Sequence, residues 1–250
     1  MKTVEINPIK DQKQNNAKYI HWPQLYKGTL VKRYKRFLAD IVLNSGETIT
    51  AHCANSGSMK DCSESGRPVF VSYHDDPKRK LKYSWQIIEM PTSLVGVNTS
   101  WPNKLVAQAI ISGAVDELTG YHSLAQEVKV GDRSRLDIYL TDNKKKQCYI
   151  EVKNCTMARD GVAAFPDAVT TRGRKHLVEL QNLVDSNTRC VMFYLIQRTD
   201  AELFRPADEI DPEYGEELRK AHENGIEILV YDVTIDETKI GVNRKIPFQL

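Results

Sequence analysis

At 250 residues the chain fits one large domain or two small ones, with two favoured at roughly 150 residues per domain. Hydrophobic residues make up 41% and charged residues 27%, which excludes wholesale disorder and describes a chain that folds around a core. No apolar run reaches the roughly 18 to 20 residues needed to cross a bilayer. The polar stretch from Met1 to Lys18 offers no signal-peptide core, so a soluble, unexported protein with no membrane partner is expected. The five cysteines (Cys53, Cys62, Cys148, Cys155, Cys190) are odd in number and lack C-x-x-C spacing. Reduced thiols in the cytoplasm fit this better than a disulfide framework or a structural zinc site.

The net charge of +2 is uninformative by itself, but its distribution is not. Residues 1–100 carry 15 Lys/Arg against 9 Asp/Glu, whereas residues 201–250 carry 6 against 12. A polyanion would prefer the front of this chain, although a charge surplus is equally compatible with a solvated face.

Residues 1–20, rich in Asn, Gln and Lys, read as a loosely ordered, flexible leader. Short strand-like segments follow at about 27–34, 36–43, 47–53, 68–74 and 82–89, separated by turn signals such as Asn44-Ser45-Gly46 and Ser65-Gly66-Arg67-Pro68. Five short strands with a longer third connection suit a small barrel of OB or SH3-like type over residues 21–90. Inside it, Lys27, Lys32, Arg33, Lys35 and Arg36 interleave with Tyr26, Tyr34 and Phe37, and Lys78, Arg79, Lys80 and Lys82 lie among Tyr73, Tyr83 and Trp85. Cations that track a phosphate backbone, with rings able to stack on bases, suit a nonspecific nucleic-acid surface, though barrel aromatics are commonly core. The polar turn 55–59 could contact phosphate, contact a second domain, or be an ordinary turn.

From residue 91 the pattern predicts a mixed-sheet α/β domain extending to residue 250. Ser100 or Thr99 is placed to cap a helix that runs to about Leu118. Strands are expected at about 123–130, 134–141 and 148–154, a helix at about 172–184, a doubly buried strand at 189–196, an acidic helix at 212–223 and a last strand at 226–233.

Asp137 on one of these strands and Glu151-Val152-Lys153 on the next are the main chemical candidates. Strand residues two apart share a face, so Glu151 and Lys153 project together and a neighbouring strand can bring Asp137 beside them. Paired carboxylates suit a hard, oxygen-preferring cation such as Mg²⁺ or Mn²⁺, and a lysine there can offset charge on a phosphate. Glu-x-Lys recurs at Glu127-Val128-Lys129 and Glu237-Thr238-Lys239, so the residues alone leave a structural Glu–Lys pair open as well. The segment 165–176 enters a helix and carries Arg172, Arg174 and Lys175, cations misplaced at a helix N-terminus unless an anion visits. His176 in the same segment fits packing or capping better than catalysis.

Taken together, the strings Arg33-Tyr34-Lys35-Arg36-Phe37-Leu38-Ala39-Asp40, Asn55-Ser56-Gly57-Ser58-Met59, Val97-Asn98-Thr99, Ser134-Arg135-Leu136-Asp137, Tyr149-Ile150-Glu151-Val152-Lys153-Asn154 and the run from Phe165 to Leu180 resemble the sugar fermentation stimulation protein family. The chain departs from that pattern in its leader and in Ala54-Asn55-Ser56, where the family usually has Pro-Asn-Thr. The resemblance implies a two-domain α+β protein: a five-stranded OB-like barrel followed by a PD-(D/E)XK nuclease-like domain. It implies nonspecific DNA binding and a regulatory role in sugar (maltose) metabolism. It implies the nuclease fold more directly than nuclease activity, so a regulator without turnover is the competing expectation. Carried over by residue, Asp137 and Glu151 become metal ligands and Lys153 the catalytic lysine, and Glu117 corresponds to the extra acid some of these nucleases use, with periodicity leaving the adjacent Asp116 open as well. Lys32, Arg33, Lys35, Arg36, Arg79, Lys80, Arg172, Arg174 and Lys175 become the expected DNA contacts. Oligomeric state, a homodimer included, is left open.

Overall fold

The computed structural model describes residues 3–5, 18–130, 134–144 and 146–250. In chain order its strands begin with β1 (Thr3–Glu5), β2 (Ile20–His21), β3 (Leu25–Tyr34), β4 (Leu38–Leu43), β5 (Thr48–His52), β6 (Pro68–Tyr73), β7 (Tyr83–Glu89) and β8 (Leu94–Gly96). Helix α1 (Pro102–Ser112) and a 3₁₀ turn (Asp116–Leu118) lead to β9 (Ser123–Val130), β10 (Ser134–Thr141), β11 (Gln147–Cys155), β12 (Ala158–Arg159) and β13 (Val162–Phe165). There follow α2 (Thr171–Gln181), β14 (Thr188–Ile196), β15 (Leu203–Pro206), α3 (Pro212–Glu223), β16 (Glu227–Ile235) and β17 (Lys239–Lys245).

Strands β3 to β7 close a barrel. β4 lies between β3 and β5, β6 between β3 and β7, and a short parallel pairing of β5 with β7 (Ala51↔Tyr83, His52↔Ser84) completes the ring. That parallel closure is what selects the OB arrangement, a choice period-2 patterning leaves open. Leu30, Ile41, Val69, Val71, Trp85 and Ile88 fill the interior. The β3–β4 connection turns on Lys35 (φ 49°) and Arg36 (φ 64°), both in the left-handed region. Residues 35–37 form a three-residue connection between Tyr34 and its partner Leu38, and glycine or asparagine normally occupies left-handed positions in such loops. Long cationic side chains here carry a conformational cost that a packing role would not demand.

The second domain is built on an eight-stranded sheet in the order β1-β9-β10-β11-β14-β16-β17-β2. Its first half is antiparallel, while β11, β14 and β16 run parallel. One face is covered by α1, through Leu105, Val106, Ala109 and Ile110, and the other by α2 and α3, through Leu177, Leu180, Tyr214 and Leu218. β14 lies between the two layers, so every residue from Cys190 to Ile196 is buried, as expected of a strand covered on both faces. This is the anticipated mixed-sheet arrangement.

Several details differ from the sequence reading. Thr3–Glu5, within the expected leader, pairs with Ser123–Ala125 of β9; the remainder of that leader up to residue 17 lies outside the described residues. Ile20 pairs with β17, and Trp22 stacks edge-on against Trp101, so the chain touches the second domain before it enters the barrel. α1 is not capped by Ser100 or Thr99. Trp101 holds the N-cap position without a side-chain hydrogen bond, Ser100 Oγ donates to Asn98 Oδ1, and Thr99 Oγ1 donates to the Ala54 carbonyl. The helix stops at Gly113 (φ 74°) rather than Leu118, because glycine readily takes the left-handed conformation that ends a helix.

Candidate metal centre and its surroundings

The ladder between β10 and β11 runs from Thr141↔Gln147 to Ile138↔Ile150. At its end the Asp137 side chain takes over, with Oδ2 accepting the Val152 N–H at 2.8 Å. Its Oδ1 accepts Asn103 Nδ2 at 2.6 Å, from the first turn of α1. Asp137 is thus held from both sides, in the position the strand pattern anticipates.

Glu151 faces α2 and is 3% exposed. Its Oε1 accepts Lys153 Nζ at 2.7 Å and also meets His176 Nδ1. Lys153 Nζ lies 3.3 Å from the same imidazole nitrogen. Glu151 Oε2, by contrast, is buried with no hydrogen-bond partner among the described residues. A buried carboxylate oxygen left unpaired costs more than the roughly 1–3 kcal/mol of an unsatisfied neutral group, a cost that a bound cation would remove.

Burial, and next the Glu151 carboxylate, push the Asp137 carboxyl up to about 6 from its ordinary 3.8. Burial pushes Glu151 the same way, but the His176 and Lys153 contacts outweigh it and hold the group below its ordinary value. The two shifts act in different pH windows. Between about pH 4 and 6 the unfolded chain has released the Asp137 proton while the folded chain retains it, so stability falls as pH rises, by up to about 3 kcal/mol. Glu151 contributes stability above its unfolded value of 4.5 that is lost as pH falls toward its lower folded value. Urea titrations of the metal-free protein from pH 4.5 to 7 should therefore show falling stability, and Asp137→Asn should flatten that slope. An equal slope in the variant would place the titrating group elsewhere.

Glu117 does not join this group. Its Oε2 accepts Tyr231 Oη at 2.7 Å and its Oε1 pairs with Lys245 at 2.5 Å. Asn103, two residues before the apolar face of α1 begins at Leu105, is the α1-side residue that reaches Asp137. His176 was read as packing or capping, yet it is buried against both Glu151 and Lys153. The signal for it lay in the sequence: Gly173, His176, Leu177 and Leu180 share the buried face of α2, and only His176 among them is polar.

The cations divide into engaged and free ones. Arg33 donates to the carbonyls of Arg36, Asn55, Gly57 and Ser58, at 2.9 to 3.1 Å, and so ties the hairpin turn to loop 55–58. Lys32 sits 3.7 Å from Asp40 and over the Tyr34 ring, and Arg79 donates to Ser84 Oγ. Arg174 pairs with Glu213, Lys175 lies 3.4 Å from Glu179, and Arg172 Nε is 3.5 Å from His176 Nε2. The start of α2 is already capped by Thr170 Oγ1, which accepts the Gly173 N–H. Its cations therefore answer local carboxylates in addition to any visiting anion. Lys35, Arg36 and Lys80 are exposed and have no carboxylate partner among the described residues.

Loop 55–59 proves to be an interdomain contact. Asp167 Oδ2 accepts the Met59 N–H at 3.2 Å, and a Cβ at Gly57 would lie 2.4 Å from the same oxygen. Only glycine permits that approach.

Comparison with known proteins agrees with this architecture. Residues 31–97 match the SfsA N-terminal OB domain, and residues 100–239 match the sugar fermentation stimulation protein RE domain. The sugar fermentation stimulation protein homolog of Geotalea uraniireducens is 48% identical over 226 residues, covering 90% of this chain and 97% of that one. This chain belongs to the sugar fermentation stimulation protein family. The homolog of Thermosynechococcus vestitus is 49% identical over 220 residues, covering 86% of this chain and 91% of its own length. Among solved structures, Pyrococcus furiosus SfsA in complex with Ca²⁺ superposes with a TM-score of 0.84 at 22% identity, over 92% of this chain and 98% of that one. That likeness extends the family fold across both domains. No helix among the described residues is long and apolar enough to cross a membrane.

Proposed function

We propose that this family member is a DNA-binding protein with a divalent-metal site able to hydrolyse phosphodiesters. The observation that carries the reading is Glu151 Oε2, buried beside a second carboxylate and a lysine and without a hydrogen-bond partner among the described residues. Asp137 and Glu151 would hold the ion, and their all-oxygen donor set suits Mg²⁺ or Mn²⁺. The Ca²⁺ complex of the archaeal relative involves a cation of the same hard class. When bound, such an ion supplies Lewis-acid polarisation of a phosphate and a water of lowered pKa.

The chain's own groups do the remaining work. Asn103 and the Val152 N–H fix both oxygens of Asp137. The Lys153 ammonium, within reach of both Glu151 and His176, offsets negative charge that develops on a phosphate and steers the nucleophile. His176 Nδ1–H donates to Glu151 Oε1, which leaves Oε2 as the free oxygen. An asparagine amide can place a donor near the position of Nδ1, whereas leucine cannot. His176→Leu should thus weaken Mn²⁺ binding about ten- to a hundredfold by calorimetry, the range for lost support of a metal ligand, with His176→Asn keeping most of the affinity. Unchanged affinity in His176→Leu would remove His176 from the site.

DNA is the partner favoured by the basic barrel and by the free cations Lys35, Arg36 and Lys80, and its binding is read as nonspecific because these segments supply charge for phosphates. Supercoiled, linear and single-stranded DNA incubated with Mg²⁺, Mn²⁺ or EDTA tests the activity. Cleavage that needs the metal and disappears in Lys153→Ala is the expected result. DNA binding without cleavage in any metal would leave a regulator that keeps the fold without turnover.

A further inference from the structure

Two cavities run together along the seam between the barrel and the second domain. The larger, about 660 Å³, is walled by Arg33, Arg36 and residues 55–58 on one side and by residues 154–157 and 164–170 on the other. The second, about 570 Å³, shares Ser58, Lys60, Met157 and Asp167 with the first and continues to Val162, Pro206 and Ile210. Residues 154–157 follow directly on Lys153, and Thr170 caps the helix that carries His176, so the seam leads to the metal centre.

The two halves have different chemistry. In the first, the exposed Arg36 guanidinium and Lys60 ammonium have no carboxylate partner among the described residues, and Arg36 is held there by a left-handed backbone. The second is floored by Met157, Val162, Ala164, Pro206 and Ile210, with Lys60, Arg159 and Arg205 around it. Of the five cations on these walls, Arg159 pairs with Asp61 and Arg33 is engaged by backbone carbonyls, which leaves Arg36, Lys60 and Arg205 beside the carboxylates of Asp167 and Glu209. A neutral sugar would have no use for those cations, and a lipid chain none for the polar half. A nucleotide matches both: its phosphate complements free Arg and Lys, and its base is a flat group with apolar faces. The apolar half is within the size range of ligand pockets. A paired base cannot enter it, because its hydrogen-bonding edge and both faces are occupied in the duplex.

We propose that the seam binds a nucleic-acid strand at an unpaired nucleotide, with the phosphates on Arg36 and Lys60 and the base in the apolar cavity lined by Met157. This rests on the reading of the neighbouring centre as a nucleic-acid site, but it is a statement about binding and is tested without metal. Unpairing a base costs least where the nucleotide is already bulged or mismatched, so such sites are selected.

The experiment is fluorescence anisotropy in EDTA with three otherwise identical duplexes: fully paired, with one bulged nucleotide, and with an abasic residue at the bulge. The bulged duplex should bind about tenfold tighter than the paired one, and the abasic duplex should lose that advantage. Lys60→Glu should weaken all three alike, while Ile210→Trp, which narrows the apolar cavity, should remove the preference for the bulged duplex. Equal affinity of wild type for all three duplexes overturns the proposal, and this comparison needs no variant to fold. Free mononucleotides provide the other arm: if dAMP or dTMP binds at micromolar concentration while the duplexes do not differ, the cavity takes a free nucleotide and the strand assignment is wrong. Absence of metal-dependent cleavage bears on the metal centre and leaves this result untouched.

Discussion

Millimolar Mg²⁺ or Mn²⁺ is expected to raise the melting temperature of the wild type by about 5–10 °C, and Asp137→Asn to abolish most of that rise. The magnitude follows from mass action. A ligand at a hundredfold its Kd, bound only by the native state, stabilises it by about 2.7 kcal/mol, and a domain of this size gains about 2–4 °C per kcal/mol. Without metal, Asp137→Asn should be as stable as wild type or more so at pH 7. It removes a charge that burial and Glu151 disfavour, and Asn103 can turn its amide to meet the new side chain. Lys153→Ala should keep the metal-induced shift and lose cleavage, because His176 still holds Glu151 Oε1. Glu127→Gln, in the second Glu-x-Lys string, should change neither, since Glu127 is exposed. Calorimetry decides the matter: no divalent-metal binding near millimolar concentration, with or without DNA, ends the nuclease reading.

Arg33→Ala should lower stability by about 3–4 kcal/mol in urea unfolding, while Lys35→Ala should stay within about 0.5 kcal/mol. Arg33 anchors four carbonyls that its half-buried guanidinium gathers from the hairpin turn and from loop 55–58. Hydrogen bonds to a charged group contribute about 1.5–3 kcal/mol each, and bonds made by one group are far from additive. Its loss also loosens the loop that meets Asp167, so the seam between the domains should become more open to proteolysis. Wild-type stability in Arg33→Ala would show that the loop is held by other contacts. Charge reversal at Arg33 therefore mixes unfolding with any loss of DNA affinity. Lys35→Glu and Arg36→Glu, at exposed positions, are the cleaner probes and should weaken binding to all DNA sequences alike.

The shared face of Glu151 and Lys153 was legible because a strand's period of two needs only local backbone geometry, and Asp137 on the preceding strand followed from the turn between β10 and β11. Glu117 was not, since its neighbours Tyr231 and Lys245 come from strands more than a hundred residues away. The roles of Asn103 and His176 were hidden because their partners lie on other elements, 34 and 25 residues along the chain. Each lies on a helix whose spacing shows which face is buried but not which strand residue it meets.

The residue pattern by itself determined the elements of both domains, because periodicity, turn residues and caps act over a few residues. It placed β3, β4, β5, β6, β7, β9, β10, β11, α2, β14, α3 and β16 to within a few residues, ran α1 about six residues too far, and did not anticipate β12, β13 or β15. Tertiary structure decided everything that depends on pairing between distant segments. It decided the barrel closure of β5 on β7, the use of Thr3–Glu5 as a sheet edge, and the engagement of Arg33 by backbone carbonyls rather than by solvent. It also decided that Glu151 keeps one buried oxygen free, which depends on where α2 lays His176 against β11. Such contacts arise when separate surfaces are buried together, and no local spacing of residues encodes which two will meet.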